Sequence, residues 1–237
     1  MFKTGRVERR FGPKRTVMAR PVSIGVLISG SGTNLQSIID AVEAKKLDAK
    51  IQLVLSNKAD AYGLVRAQKH GIPTEVLDHK SFSNREAYDQ TVVDLLRGRG
   101  VELVVLAGFM RLLSPVFVKA YSNRIMNIHP ALLPAFPGLH VQKKALEHGV
   151  RFSGCTVHFV NEECDEGPII IQAVVPVFPD DTEETLAARI LAQEHRIYPR
   201  AIQLYAERRL HIVGRKVLVD RLEKDDAQVL IEPSLEG

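Results

Sequence analysis

Two periods of apolar residues alternate along the first half of the chain. Val22 to Ser29 reads VSIGVLIS, a short and nearly continuous apolar run of the kind that forms a strand buried on both faces. Leu35, Ile38, Ile39 and Val42 then recur at helical spacing as far as Ala44. Ile51 to Ser56 is a second strand, followed by a helix near residues 61–70 that Gly71 closes. Ser83-Asn84-Arg85-Glu86 has the S-x-x-E form of a capping box and opens a helix carrying Tyr88, Val92, Leu95 and Leu96. Leu103 to Ala107 and the shorter Ile125 to Ile128 are further buried strands. Strands alternating with helices predict a parallel α/β sheet joined by right-handed crossovers.

After His140 the pattern changes. Arg151 to Val160 and Ile169 to Val177 are strand-like runs joined by an acidic, glycine-containing loop, which predicts an antiparallel pair extending the sheet. Asp181, with Glu184 three residues on, opens a helix through Leu186, Ile190 and Leu191 that Pro199 is expected to end or kink. A short strand pair follows near residues 211–213 and 217–219. One domain over residues 22–219 is therefore expected. It lies between a basic arm, residues 1–21, and an acidic, loose tail, residues 220–237. The arm has no hydrophobic periodicity and no secretory core, so it reads as disordered, with Met18 as an alternative start.

Composition changes this picture little. The chain of 237 residues has room for one good-sized core, and its 45% hydrophobic and 25% charged residues are those of a soluble globular protein. No apolar run approaches the ~18 residues of a membrane helix. The formal net charge of +4 comes from the arm, where Lys3, Arg6, Arg9, Arg10, Lys14, Arg15 and Arg20 face only Glu8. The body is near neutral, so the charge does not argue for a nucleic-acid partner. Cys155 and Cys164 form neither a metal-like spacing nor a CxxC pair, which suits reduced thiols in a cytoplasmic protein.

Three stretches carry candidate chemistry. Gly30-Ser31-Gly32-Thr33-Asn34 joins a buried strand to a helix. It reads either as a phosphate site, with backbone N–H groups and a helix N-terminus, or as a plain tight turn. Leu35 stands where a dinucleotide fingerprint needs a small residue, and the next strand ends Ser56-Asn57-Lys58 without an acid. A monophosphate therefore fits better than NAD. Gly108-Phe109-Met110-Arg111-Leu112-Leu113 follows a strand at its carboxyl end, where open α/β sheets bind ligands. From Asn127 to Gly138 the chain reads NIHPALLPAFPG, with three prolines that argue against a helix or a paired central strand. Alternation puts Asn127 and His129 on one side of this segment. Asp165 lies among Glu162, Glu163 and Glu166 on a later loop, and the residues alone do not say which acid faces inward. His140, His158 and His195 read as structural or surface histidines.

Taken in order, S-G-x-G-x-N-L, S-N-K-A-D-A, A-G-F-M-R, N-I-H-P-x-L-L-P, P-G-L-H and D-x-G-P run from Ser29 to Pro168, within a likeness that covers roughly Val22 to Ile212. Together they resemble the phosphoribosylglycinamide formyltransferase family, the folate-dependent enzymes of purine synthesis. Methionyl-tRNA formyltransferase, formyltetrahydrofolate deformylase and sugar-nucleotide formyltransferases share the Asn-x-His-Pro core. The Pro137-Gly138-Leu139-His140 run and the glycine turn point to the glycinamide ribonucleotide branch. The resemblance implies a single-domain α/β formyltransferase fold: a mostly parallel twisted sheet, helices on both faces, and antiparallel strands in the C-terminal part. It implies transfer of a formyl group from 10-formyltetrahydrofolate, a co-substrate, to the amine of glycinamide ribonucleotide, by direct attack and without a metal. Asn127, His129 and Asp165 match the family's catalytic triad. Gly32, Thr33, Asn34 and Glu194 match its ribonucleotide site; Arg85, Met110, Arg111, Leu112, Leu113 and Asn127 match its folate site. The implied partners are these two small molecules, with no nucleic acid or membrane, and a homodimer is compatible. Two rivals belong to other classes. A nucleotide-binding module would keep the glycine turn without needing His129 or Asp165, and a nucleic-acid-associated protein would work through the basic arm.

Overall fold

The computed structural model describes residues 20–220. The expectations for the arm and the tail fall almost wholly outside them.

Among the described residues nine strands form one sheet: β1 (Val22–Ile28), β2 (Ala49–Ser56), β3 (Thr74–Val76), β4 (Leu103–Leu106), β5 (Ile125–His129), β6 (Phe152–Phe159), β7 (Ile169–Pro176), β8 (Leu210–Val213) and β9 (Lys216–Val219). Their spatial order is β3-β2-β1-β4-β5-β6-β7-β9-β8. The first five are parallel, and β5–β6, β6–β7 and β8–β9 pair antiparallel. The parallel half with an antiparallel C-terminal extension is as the apolar pattern predicts. Six helices pack on it: α1 (Thr33–Glu43), α2 (Tyr62–Lys69), α3 (Arg85–Gly98), α4 (Pro115–Ala120), α5 (Val141–Glu147) and α6 (Glu183–Ala206).

The side-chain period of two along β1 explains why both faces are covered. Ile24, Val26 and Ile28 enter a core with Leu35 and Ile38 of α1, Leu64 of α2 and Ile190 and Ile202 of α6. Leu27 points the other way, into a second core with Tyr88, Val92 and Leu96 of α3 and Phe117 of α4.

Several expectations are corrected. Helix α3 is capped by Asn84, whose side chain accepts from the Ala87 N–H at 2.8 Å, rather than by Ser83. Helix α6 has a true capping box between Thr182 and Thr185; Asp181 instead grips Arg189 through both carboxylate oxygens at 2.7 and 2.8 Å. Helix α6 does not end at Pro199. A proline inside a helix costs ~3 kcal/mol, but the turns around this one are pinned. Tyr198 Oη shares its one hydrogen between the Leu106 and Met126 carbonyls, 2.9 Å from each, and Ala201 and Ile202 are fully buried. The segment holding Asn127 and His129 is not a loop either. It is strand β5, paired on both sides, and the first proline, Pro130, comes only after its last residue. Strand β3 and helices α4 and α5 had no counterpart in the apolar pattern, being too short to establish a period.

Candidate active site

The chain leaves β1 toward β2 and β3 on one side and returns to place β4 on the other. This reversal is a topological switch point at the carboxyl ends of β1 and β4, the edge where α/β sheets bind ligands. The loops there are stitched together. The Ser29 N–H donates to the Gly108 carbonyl at 3.0 Å, and Ser29 Oγ donates to Asn57 Oδ1 at 2.6 Å and accepts from the Met110 N–H at 2.9 Å.

The glycine turn forms one wall. Gly32, at φ 69°, caps α1 in the left-handed region, which favours glycine. Thr33 and Asn34 begin the helix, so their N–H groups have no partner one turn back. Asn34 Nδ2 donates to Glu194 Oε2 at 2.7 Å, a contact between residues 160 apart in sequence, while Asn34 Oδ1 is buried without a partner among the described residues. Glu194 is therefore no helix-surface acid: it is buried on α6, and burial raises its carboxyl pKa against the lowering effect of the Asn34 bond.

The second wall is the end of β5. His129 is nearly buried, and its Nε2–H donates to the Phe136 carbonyl at 2.9 Å. That bond leaves Nδ1 without a hydrogen in the neutral ring, and Nδ1 lies 3.4 Å from Asp165 Oδ2. The loop presenting Phe136 is itself held. Thr156 Oγ1 donates to the Ala131 carbonyl at 2.7 Å and accepts from the Leu133 N–H at 3.1 Å and from Gln172 Nε2 at 3.0 Å.

Of the four acids on the 162–166 loop, Asp165 is the one that turns inward. Its side chain is 12% exposed, whereas Glu162, Glu163 and Glu166 are open to solvent. A left-handed backbone at φ 56° directs it, and its Oδ2 accepts from the Gly138 N–H at 2.9 Å.

His158, read from sequence as a structural histidine, belongs to this group. It sits opposite Asn127 in the β5–β6 register, with its Nε2 3.2 Å from Asn127 Nδ2 and 3.7 Å from Asp165 Oδ1. Its Nδ1–H donates to the Phe159 carbonyl at 2.9 Å, so Nε2 is left to accept from the Asn127 amide. Burial lowers its pKa, overriding the Phe159 bond and the Asp165 charge, which both raise it. A neutral His158 thus fixes which way the Asn127 amide points. The signal for it was the pairing of two adjacent antiparallel strands, which needs the register.

The residues expected to hold folate fall in two places. Met110, Arg111, Leu112 and Leu113 follow β4, whose Leu106 pairs with Asn127. Met110 and Leu112 are exposed by 65% and 62%, and Arg111 stacks on the Tyr88 ring at 4.7 Å. Arg85 stands exposed at the start of α3 beside Glu86, and no hydrogen bond or ion pair joins it to the triad among the described residues. Neither cysteine is a poised nucleophile. Burial pushes the Cys155 thiol up to about 12, and burial with the nearby Asp165 charge raises that of Cys164.

Comparison with known proteins matches residues 22–202 to the formyl transferase family. The chain belongs to that family. Over 189 residues it is 51% identical to the phosphoribosylglycinamide formyltransferase of Escherichia coli strain K12, covering 80% of this chain and 89% of that protein. It is 54% identical to the trifunctional purine biosynthetic protein adenosine-3 of Drosophila pseudoobscura pseudoobscura, over 81% of this chain but 14% of that longer protein. Among solved structures, glycinamide ribonucleotide transformylase 1 from Symbiobacterium toebii superposes with a TM-score of 0.85 at 52% identity, over 88% of this chain and 98% of that one. The mixed sheet described above is accordingly the formyltransferase fold, with the family match ending inside α6.

Proposed function

We propose that this formyltransferase moves the formyl group of 10-formyltetrahydrofolate onto the primary amine of glycinamide ribonucleotide, a step of purine biosynthesis. The reading is carried by the convergence of Asn127, His129 and Asp165 beside a glycine turn that the buried Asn34–Glu194 pair closes. A binding module without chemistry has no use for the first cluster.

The ribonucleotide phosphate rests on the N–H groups of Gly32, Thr33 and Asn34, with α1 supplying the partial positive charge of its N-terminus. Glu194 and the free Oδ1 of Asn34 accept from hydroxyl or amine groups of the same substrate. Arg85 and the Met110–Leu113 rim hold the folate, the apolar side chains covering the flat pterin and the guanidinium meeting the carboxylate tail.

Attack of the free amine on the formyl carbon creates an oxyanion. One amide hydrogen of Asn127 is committed to His158, and the second donates to that oxygen; such a donor is worth ~3 kcal/mol of barrier. A proton on His129 Nδ1 supplies a second donor. The same nitrogen takes part in carrying the proton that the amine loses to the folate nitrogen that gains it, directly or through a water held by Asp165. No covalent intermediate with the enzyme forms.

The test is spectrophotometric. Release of deformylated folate from the 10-formyl donor should require glycinamide ribonucleotide and proceed at one folate per formylated amine. Turnover of the donor that is indifferent to the amine would overturn the reading in favour of a hydrolase.

A further inference from the structure

The glycine turn does not hold its own shape; α2 holds it. The Gly63 N–H donates to the Gly30 carbonyl at 3.0 Å, and Arg66 Nε–H donates to the Ser31 carbonyl at 2.9 Å. In a trans peptide the N–H points opposite the C=O. With both carbonyls drawn toward α2, the N–H groups of Ser31 and Gly32 turn away from it, and neither has an acceptor among the described residues. They join the unpartnered N–H groups at the start of α1 in one donor-lined cradle. The turn and α2 touch so closely that a Cβ on Gly32 would lie 2.6 Å from the Gly63 Cα.

Arg66 also brings an uncompensated charge to this spot. Its Nη1 donates to Gln36 Oε1 at 3.3 Å and its guanidinium lies 5.0 Å over the Tyr62 ring. No carboxylate comes within ion-pairing distance of it among the described residues. The nearby acids are engaged elsewhere, Asp40 with Gln36 at 2.8 Å and Glu43 with His70 at 2.6 Å.

We propose that Arg66 is the positioning and specificity residue of the phosphate end of the site. Its Nε holds the Ser31 carbonyl back so that the Gly32 N–H faces the ligand, and its free charge favours a phosphate dianion over a neutral sugar. This rests on the glycinamide ribonucleotide reading given above.

The test compares Arg66→Met and Arg66→Lys with the parent on two amines, glycinamide ribonucleotide and its dephosphorylated riboside. Arg66→Met should raise KM for the ribonucleotide at least tenfold, leave kcat within about twofold, and leave KM for the formyl donor unchanged. On the riboside it should match the parent, because the turn geometry and the charge it loses act on the phosphate. Arg66→Lys, which keeps the charge but not the planar Nε donor, should recover part of the loss. An equal loss on both amines, or an unchanged ribonucleotide KM, would overturn the proposal. Thermal unfolding in inorganic phosphate separates it from the substrate reading. The parent should be stabilised by phosphate and Arg66→Met should not, whichever amine proves to be the acceptor. Equal stabilisation of both would also overturn it.

Discussion

Replacing Gly32 by alanine tests the turn and its support together. At φ 69° and ψ 31° the residue is left-handed, which costs an L-residue about 1–2 kcal/mol. The added Cβ would sit 2.6 Å from the Gly63 Cα and 3.3 Å from the Gly63 nitrogen. Backbone cannot rotate out of the way as a side-chain end can, so α2 must move, and it is tied to the turn by the Gly63 and Arg66 bonds. Overpacking of this kind costs about 1–3 kcal/mol. The expected loss is therefore ~2–5 kcal/mol, a large part of the ~5–15 kcal/mol that holds a domain together, yet short of unfolding it. In urea the midpoint should fall by roughly 1 M at an unchanged slope, and KM for the ribonucleotide should rise while that for the formyl donor stays put. Gly63→Ala is the control. Its Cβ meets the terminal methyl of Ile28, a side-chain end, at 2.5 Å and the Gly32 Cα only at 3.2 Å, and in a helix alanine gains ~1 kcal/mol over glycine, so its loss should be smaller. Gly32→Ala unfolding within about 0.5 kcal/mol of the parent with an unchanged ribonucleotide KM would show that the turn relaxes independently of α2, and the clamp would be refuted.

Three further outcomes are expected. Asn127→Ala should lower kcat roughly a hundredfold or more with little change in either KM; near-normal turnover would remove Asn127 from the chemistry. Asp165→Asn keeps the volume and the acceptor for the Gly138 N–H but loses the charge facing His129. It and His129→Asn should each cut turnover, and the double variant should cost less than the two losses combined, whereas full additivity would leave Asp165 a loop-holding role. His158 bears on stability. Its folded pKa is lowered by burial, so below the ordinary value of about 6.5 the unfolded chain takes up a proton that the folded one refuses, and stability falls as pH drops through that window. Chemical denaturation of His158→Gln should show a shallower fall there, and a parallel pH profile would mean that His158 titrates normally in the folded protein.

The short-range pattern was enough for most of the fold, and the family resemblance for a candidate triad. Buried strands announce themselves as continuous apolar runs and helices by their period, so the parallel half and the antiparallel Phe152–Pro176 pair were legible. The ordered motifs pointed to Asn127, His129 and Asp165, and the wider family resemblance to Glu194. Contacts between residues far apart in sequence were not legible, because periodicity records which face a residue takes and not what lies across from it. Glu194 reads as a solvated acid until α6 lays it against Asn34, 160 residues earlier. His158 looks like a core histidine until the β5–β6 register sets it opposite Asn127. Pro199 signals a helix end, but Tyr198 anchors the surrounding turns to β4 and β5 and the helix continues. Among four neighbouring acids, only the left-handed backbone at Asp165 decides which one meets the histidine. Sequence by itself determined the chemical types available, since these are covalent facts. Their pairing and orientation, and so which nitrogen of His129 is left free and which way the Asn127 amide faces, were decided by packing, because each depends on a partner brought into place only when the sheet closes around it.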